Sequence, residues 1–394
     1  MNWENSKNIE DNKFELPSNW LKIEYFEVLN ILFRVENSLR ILVYIILKNE
    51  FQDKWKDLSI TSDDEESSTI GAIAKRRISQ DNNYAYLGYS INCPLVHLTS
   101  GELIRIITSE KYWKLFKSYF PGSKEIIKNK LDEIGNVRNS VAHFRPIKKG
   151  DVELIKQNSI HTLSTIEKEL VDFISCSDRV PTNTEENWYK DMITLKSEFC
   201  SFNYFQAKKE KWLQIALTFK PPKTISTTHE TFVRYNAFNL KSHGLFIHYP
   251  ELLKNTISIT ETIPSVYTKI PNKIELQKTI YFTLSTESLI KNYIILKQEF
   301  ERLLLQISTE LKLIKDDNLA RGKVVEAISF YIEKPDGSEY FRITDNPFIS
   351  ELNEDSPPEF WGNIIYSSEN YITDSARFPW MPDSIVSSDG DFLF

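Results

Sequence analysis

The chain has 394 residues, 41% hydrophobic and 26% charged, and its 48 basic and 55 acidic side chains leave a net charge of −7. Aromatic residues reach 13% and glycines number 11, which excludes a collagen-like or low-complexity chain. The acidic balance argues against a histone-like coat for nucleic acid, though it leaves room for a local basic face.

That length predicts about two or three domains. Cys93, Cys176 and Cys200 form no CxxC pair, so neither a disulfide framework nor a zinc knuckle is expected, and a reducing cytoplasm is the natural compartment. Met1 to Lys13 is polar and acidic, unlike a signal peptide. The longest apolar run, Ile41 to Leu47, falls far short of the ~20 residues that span a bilayer, so no membrane association is expected.

In chain order, Pro17-Ser18-Asn19 is expected to cap a long helix from about Trp20 to about Trp55, with Phe26, Leu29, Phe33, Leu39, Leu42 and Ile46 at three-or-four spacing. Asp57 to Thr69 is acidic and rich in Ser and Thr, a solvated loop. A second helix is predicted over 70–78. Thr99 and Glu102 fit a capping box, with a helix through Ile107. Lys111 to Phe120 reads as one or two aromatic-rich turns that Pro121-Gly122 breaks. Ser123 caps a helix striped by Ile127, Leu131, Ile134, Val137 and Val141, and Arg145-Pro146 stops it. Asp151 is expected to cap a last helix through Phe173.

A polar, proline-containing joint near residue 180 then separates two expected units, a helical bundle over 1–178 and a mixed α/β domain over 185–394. The fold class is therefore α+β multidomain. In the second unit, strands are predicted at Trp212 to Phe219, Thr231 to Phe238, Gly244 to Tyr249 and Ile274 to Leu284. An amphipathic helix follows over 287–314, whose period suits packing on a sheet better than a coiled coil. Val324 to Ile332 and Glu339 to Ile343 flank Pro335-Asp336-Gly337 as a hairpin, and the stretch after Asp345 reads as irregular. This half is natural for sensing a trigger, selecting a substrate or restraining the first.

P-loop, HExxH, GxSxG and dinucleotide-fingerprint motifs are absent. The six histidines lack convincing metal-ligand spacing, and His243 and His248 read as surface or core residues. No cofactor or metal is expected. One constellation carries chemistry: Arg138-Asn139-Ser140-Val141-Ala142-His143, closing an amphipathic helix. Asn139 and His143 lie four apart on one face, and the long Arg138 side chain can swing toward them. Such a trio suits phosphodiester cleavage in RNA. A histidine takes a proton from a 2′-hydroxyl or gives one to the leaving oxygen near neutral pH, and a guanidinium answers the charge on the phosphoryl oxygens. The bland alternative pairs Arg138 with Asp132 or Glu133 and uses His143 as a helix-end cap.

Ten basic and three acidic residues between 111 and 149 leave that stretch at +7 and the remainder at −14. A basic island beside a phosphoryl-transfer site is what RNA docking needs, with Lys128, Lys130, Arg145, Lys148 and Lys149 as candidate phosphate contacts. Tyr112, Trp113 and Tyr119 can stack bases or fill a core.

The motif resembles the HEPN superfamily, marked by Arg-x(4–6)-His at the end of a helix in a small helical bundle, often with Asn after the Arg. Phe33-Arg34-Val35-Glu36-Asn37-Ser38-Leu39-Arg40, Leu98-Thr99-Ser100-Gly101-Glu102-Leu103 and Trp113-Lys114-Leu115-Phe116 extend the likeness over about residues 20–175. The resemblance implies a HEPN-like bundle that forms a homodimer with motif helices face to face, and a metal-independent endoribonuclease leaving a 2′,3′-cyclic phosphate. It implies a setting in anti-phage defence, abortive infection or toxin–antitoxin pairs, with an antitoxin or a phage-derived trigger as partner. By it, Arg138 holds phosphate, His143 is the general acid/base, Asn139 helps, and Glu36 and Arg40 occupy second-tier positions. Other members are inactive dimerisation modules, so an inactive module bearing a C-terminal sensing domain is the alternative.

Overall fold

The computed structural model describes residues 7–10, 13–15, 23–60, 69–82, 93–143, 145, 147–174, 176, 179–229, 232–262, 267–268, 276–316, 321–334, 341–343, 348, 350, 352 and 355–362. It is an α+β protein, helices first and sheets second. A short antiparallel ribbon, β1 (Lys7–Glu10) with β2 (Lys13–Glu15), precedes them. No helix among the described residues is long and apolar enough to cross a membrane.

The helices are α1 (Ile23–Phe51), α2 (Ile70–Asn82), α3 (Ser100–Thr108), α4 (Trp113–Phe116), α5 (Lys124–Ala142) and α6 (Lys149–Ile174). Their predicted apolar stripes pack together: Leu39 and Leu42 of α1 meet Ile127, Leu131, Ile134, Val137 and Val141 of α5 and Val152, Ile155, Leu163 and Phe173 of α6 in one core. The proposed cap at 17–19 lies outside the described residues, as do the interior of the acidic loop and Pro146. Helix α6 begins two residues before Asp151. That carboxylate sits in the first turn and accepts the Lys148 N–H at 2.8 Å, so it supports the helix start from inside.

The capping box at Thr99 forms as the spacing predicts. Thr99 Oγ1 accepts the Glu102 N–H at 3.3 Å, and Glu102 Oε2 accepts the Thr99 N–H at 2.7 Å. Arg77 forks onto the same carboxylate at 2.8 and 2.8 Å. Burial pushes the Glu102 carboxyl up, but these bonds outweigh it and hold it below the ordinary range. Thr99→Ala is expected to cost about 1 kcal/mol, read as a lower denaturation midpoint.

The second half opens with α7 (Asn187–Met192). One five-stranded sheet has the order β12-β7-β9-β4-β3. Its strands are β3 (Cys200–Gln206), β4 (Trp212–Phe219), β7 (Ser258–Thr262), β9 (Lys278–Ser285) and β12 (Phe360–Gly362), all antiparallel to their neighbours except the β12–β7 pair. The other has the order β5-β6-β10-β11-β8. It comprises β5 (Lys223–Thr228), β6 (Phe232–Leu240), β8 (Tyr267–Thr268), β10 (Val325–Glu333) and β11 (Phe341–Ile343). β10 and β11 pair as the hairpin spacing predicts, Ile332 opposite Ile343, while the turn itself lies outside the described residues.

The amphipathic helix α10 (Thr286–Lys315) lies on the first of these sheets. Its Leu289, Leu296, Phe300, Leu303, Ile307 and Leu311 share a core with Leu213, Ile215, Leu217, Ile280 and Phe282. The predicted strand at 244–249 is instead helix α8 (Ser242–His248), followed by α9 (Pro250–Asn255). The buried side chains Ser242, Leu245 and Tyr249 follow a helical rather than an alternating period. Gly244 lets this backbone close on the chain just before β10, since a Cβ there would lie 2.2 Å from the Lys323 carbonyl oxygen.

Helix α6 ends at Ile174 and α7 begins at Asn187, bracketing the expected joint, but the two halves share one core. Ala207, Trp212, Ile257 and Trp361 pack into the helical cluster. Phe173 meets Trp212 edge-on at 5.1 Å. Tyr44 donates to the Ile257 carbonyl at 2.8 Å, and the Lys48 ammonium reaches Glu359 at 2.7 Å. Glu36, Arg40, Tyr44 and Lys48 follow at steps of four, a polar seam along one side of α1 that ends at the residues leading into β7 and the edge strand β12.

Asp172 lies at the same junction. Its Oδ1 accepts the Lys209 N–H at 3.3 Å, its Oδ2 has no hydrogen-bond partner among the described residues, and burial raises its pKa. The folded state therefore holds this proton more tightly than the unfolded chain does. The Asp172 contribution to stability falls as pH climbs from the unfolded to the folded pKa, and is flat above it. Asp172→Asn should raise the melting temperature at pH 7, and in a melting series from pH 4 to 8 its advantage over the parent should shrink toward the acid end, where the parent's Asp172 is protonated.

Candidate functional site

Arg138 sits on the border between the buried and exposed faces of α5, next to Ile134 and Leu131 of the core. Its Nε lies 3.5 Å from Glu36 Oε2, with the side chain 36% exposed. Glu36 Oε2 also accepts from Ser100 Oγ at 2.7 Å, and its other oxygen pairs with Arg40. Arg40 donates Nε to the Leu95 carbonyl at 3.1 Å, Nη2 to the Leu98 carbonyl at 3.2 Å and Nη1 to Asn37 at 3.1 Å. Burial lowers the Arg40 pKa while Glu36 raises it, and a guanidinium so placed keeps its charge. Arg40 thus anchors Glu36, and Glu36 orients Arg138 from α1. The structure draws Glu36 into contact with the motif arginine, and Arg40 reaches it through Glu36.

Arg138 also borders an open cleft between the start of α3 and α5. Thr99, Ser100, Gly101, Ile104, Asp132, Gly135, Asn136, Arg138 and Asn139 line it, around about 970 Å³ including the solvent at its mouth. A smaller, mostly apolar hollow lined by Leu32, Val35, Leu39 and Ile134 adjoins it at Ser100, Ile104, Gly135 and Arg138. Asn139 shares the cleft with Arg138. His143 does not line it: it is exposed at the C-terminal cap of α5, one turn beyond, with its backbone N–H on the Asn139 carbonyl at 3.2 Å.

The bland alternative therefore holds for the position of His143 but not for Arg138. Glu133 instead accepts from Asn158 at 2.6 Å, and Asp132 faces the cleft. Lys128 and Lys130 lie about 15 and 12 Å back along α5, and Arg145, Lys148 and Lys149 on the turn into α6. All but the half-buried Lys130 are exposed, and they flank the cleft rather than line it. Tyr112 and Tyr119 are buried, and the half-buried Trp113 stacks on Phe120 at 6.1 Å, so these rings serve packing. Cys93, Cys176 and Cys200 are buried thiols, with Cys93 and Cys200 pushed up to about 12 by burial, which leaves them unreactive.

Sequence reasoning missed Ser100, Gly101, Asp132, Gly135 and Asn136 as cleft residues. The spacing of 132, 135, 136 and 139 signals one helical face, but what that face looks onto is set by α3. Comparison with protein-family models, with curated proteins and with solved structures finds no match in any of the three.

Proposed function

We infer that this chain is a metal-independent endoribonuclease of the HEPN kind, acting through attack of the RNA's own 2′-hydroxyl. The observation that carries the reading is the placement of Arg138, which is braced by Glu36 at 3.5 Å and lines a cleft shared with Asn139. A braced fork of donors suits the charge that builds on phosphoryl oxygens, because its orientation is set before the reaction begins. Asn139 adds amide donors one position along. His143, exposed on the same helix, is free to shuttle a proton once a second α5 lies against the first. A homodimer through α5 makes one composite cleft from two Arg-Asn-His sets. Anti-phage defence or toxin–antitoxin action in the cytoplasm is the setting this activity implies, with an antitoxin or a phage-derived protein as controlling partner.

One observation favours a second reading. Within a single chain His143 stands outside the cleft, as it would in an inactive dimerisation module whose function lies with the sheets. Induced expression of the parent and of His143→Ala, with sequencing of RNA ends, separates the two. Ends carrying 2′,3′-cyclic phosphate, formed also by purified protein in EDTA and lost in the variant, are expected. Equal toxicity and equal RNA ends in the two strains sink the nuclease reading.

A further inference from the structure

The cleft holds an acidic side chain that phosphate binding does not explain. Asp132 is exposed, lines the cleft beside Arg138, and makes no hydrogen bond or ion pair with any described residue. A carboxylate repels a phosphate, so its favourable role in a nucleic-acid cleft is to accept N–H donors from a base. Between Asp132 and Asn139 the helix carries Gly135, a residue disfavoured in a helix interior. A Cβ there would meet only Ile104 Cδ1, at 3.8 Å, and one on Gly101 across the cleft would meet nothing within 4 Å. The result is a bare backbone floor with one apolar side chain, rimmed by Asp132, Asn136 and Asn139 and ended by Arg138.

We propose that this cleft reads one base of the bound RNA, that the base is guanine, and that Asp132 determines the choice. The inference rests on the nuclease reading for its ligand. Guanine alone offers two parallel N–H donors, at N1 and N2, matching the two oxygens of a carboxylate. Adenine and cytosine set one amine beside a ring acceptor that the carboxylate repels, and uracil flanks its single N–H with two carbonyls. The asparagine amides serve the remaining edge atoms, the floor takes the ring face, and Arg138 takes the adjoining phosphate.

The test uses fluorescence anisotropy with labelled oligouridine carrying one internal guanine, inosine, adenine or cytosine, on full-length His143→Ala with and without Asp132→Asn. Guanine should bind roughly tenfold tighter than adenine, with inosine between because it lacks the N2 amine. Asp132→Asn should level the series while keeping the adenine affinity or strengthening it. Equal binding of all four RNAs, or a guanine preference that survives Asp132→Asn, overturns the inference. Free GMP binding as tightly as the guanine oligonucleotide overturns the assignment to RNA, leaving a mononucleotide site. A levelled series in the variant, combined with no cutting of these RNAs by the parent in EDTA, supports the guanine site and removes the nuclease reading instead.

Discussion

Arg138→Ala is expected to slow cleavage of a model RNA by about 10²–10³-fold, the usual effect of removing one pre-oriented donor from a developing oxyanion. His143→Ala should slow it by about 10²–10⁴-fold, the range of general acid–base catalysis. Neither change should unfold the chain. His143 is exposed, and losing Arg138 leaves Glu36 still bound by Arg40 and Ser100. Arg138→Lys should restore little, because an ammonium cannot span Glu36 and the cleft with a fixed fork. The double variant should be barely slower than the worse single one, since residues acting on one transition state are not additive. Single-turnover rates in EDTA, with circular dichroism to verify the fold, check all four. Parental rates in either alanine variant contradict the assignment.

Glu359→Ala should be the most destabilising single change at the junction of the two halves. Lys48 and Glu359 are 1% and 7% exposed, 2.7 Å apart, and the other acidic partner of Lys48 among the described residues is Asp53, 62% exposed at 3.1 Å. Removing Glu359 leaves a buried ammonium with a mostly solvated counter-charge, a loss of about 3–5 kcal/mol. Replacing both partners, Lys48→Met with Glu359→Leu, removes the buried charges together and should recover most of that loss. Because Trp212, Ile257 and Trp361 sit in the helical core, urea unfolding should follow one cooperative transition for the described halves. A cost under about 1 kcal/mol for Glu359→Ala, or two separate transitions, would show that the junction is looser than this packing requires.

Much was legible in the residues. The stripes of α1, α5 and α10 set those helices in type and nearly in extent, because an element that buries one face must repeat apolar side chains at its own period. Thr99 and Glu102 announced their capping box, since the chemistry of a helix start is local. The switch from helices to sheets near residue 180 was legible for the same reason, and Arg138-x4-His143 stood out by its place at a helix end. The strand expected at 244–249 failed where a short apolar run has no clear period, and Leu245 went helical because Ser242 and Tyr249 share its buried side.

What each face meets is a matter of three-dimensional packing. Glu36 and Arg138 are 102 positions apart, and nothing local tells α1 to brace α5 there. The start of α3 supplies the second wall of the cleft, and Tyr44, Lys48 and Trp361 join halves that composition would set apart. Periodicity records how much of an element is buried, one element at a time. The partner of a buried face is chosen by the packing of the whole chain, and so are the neighbours of a functional side chain.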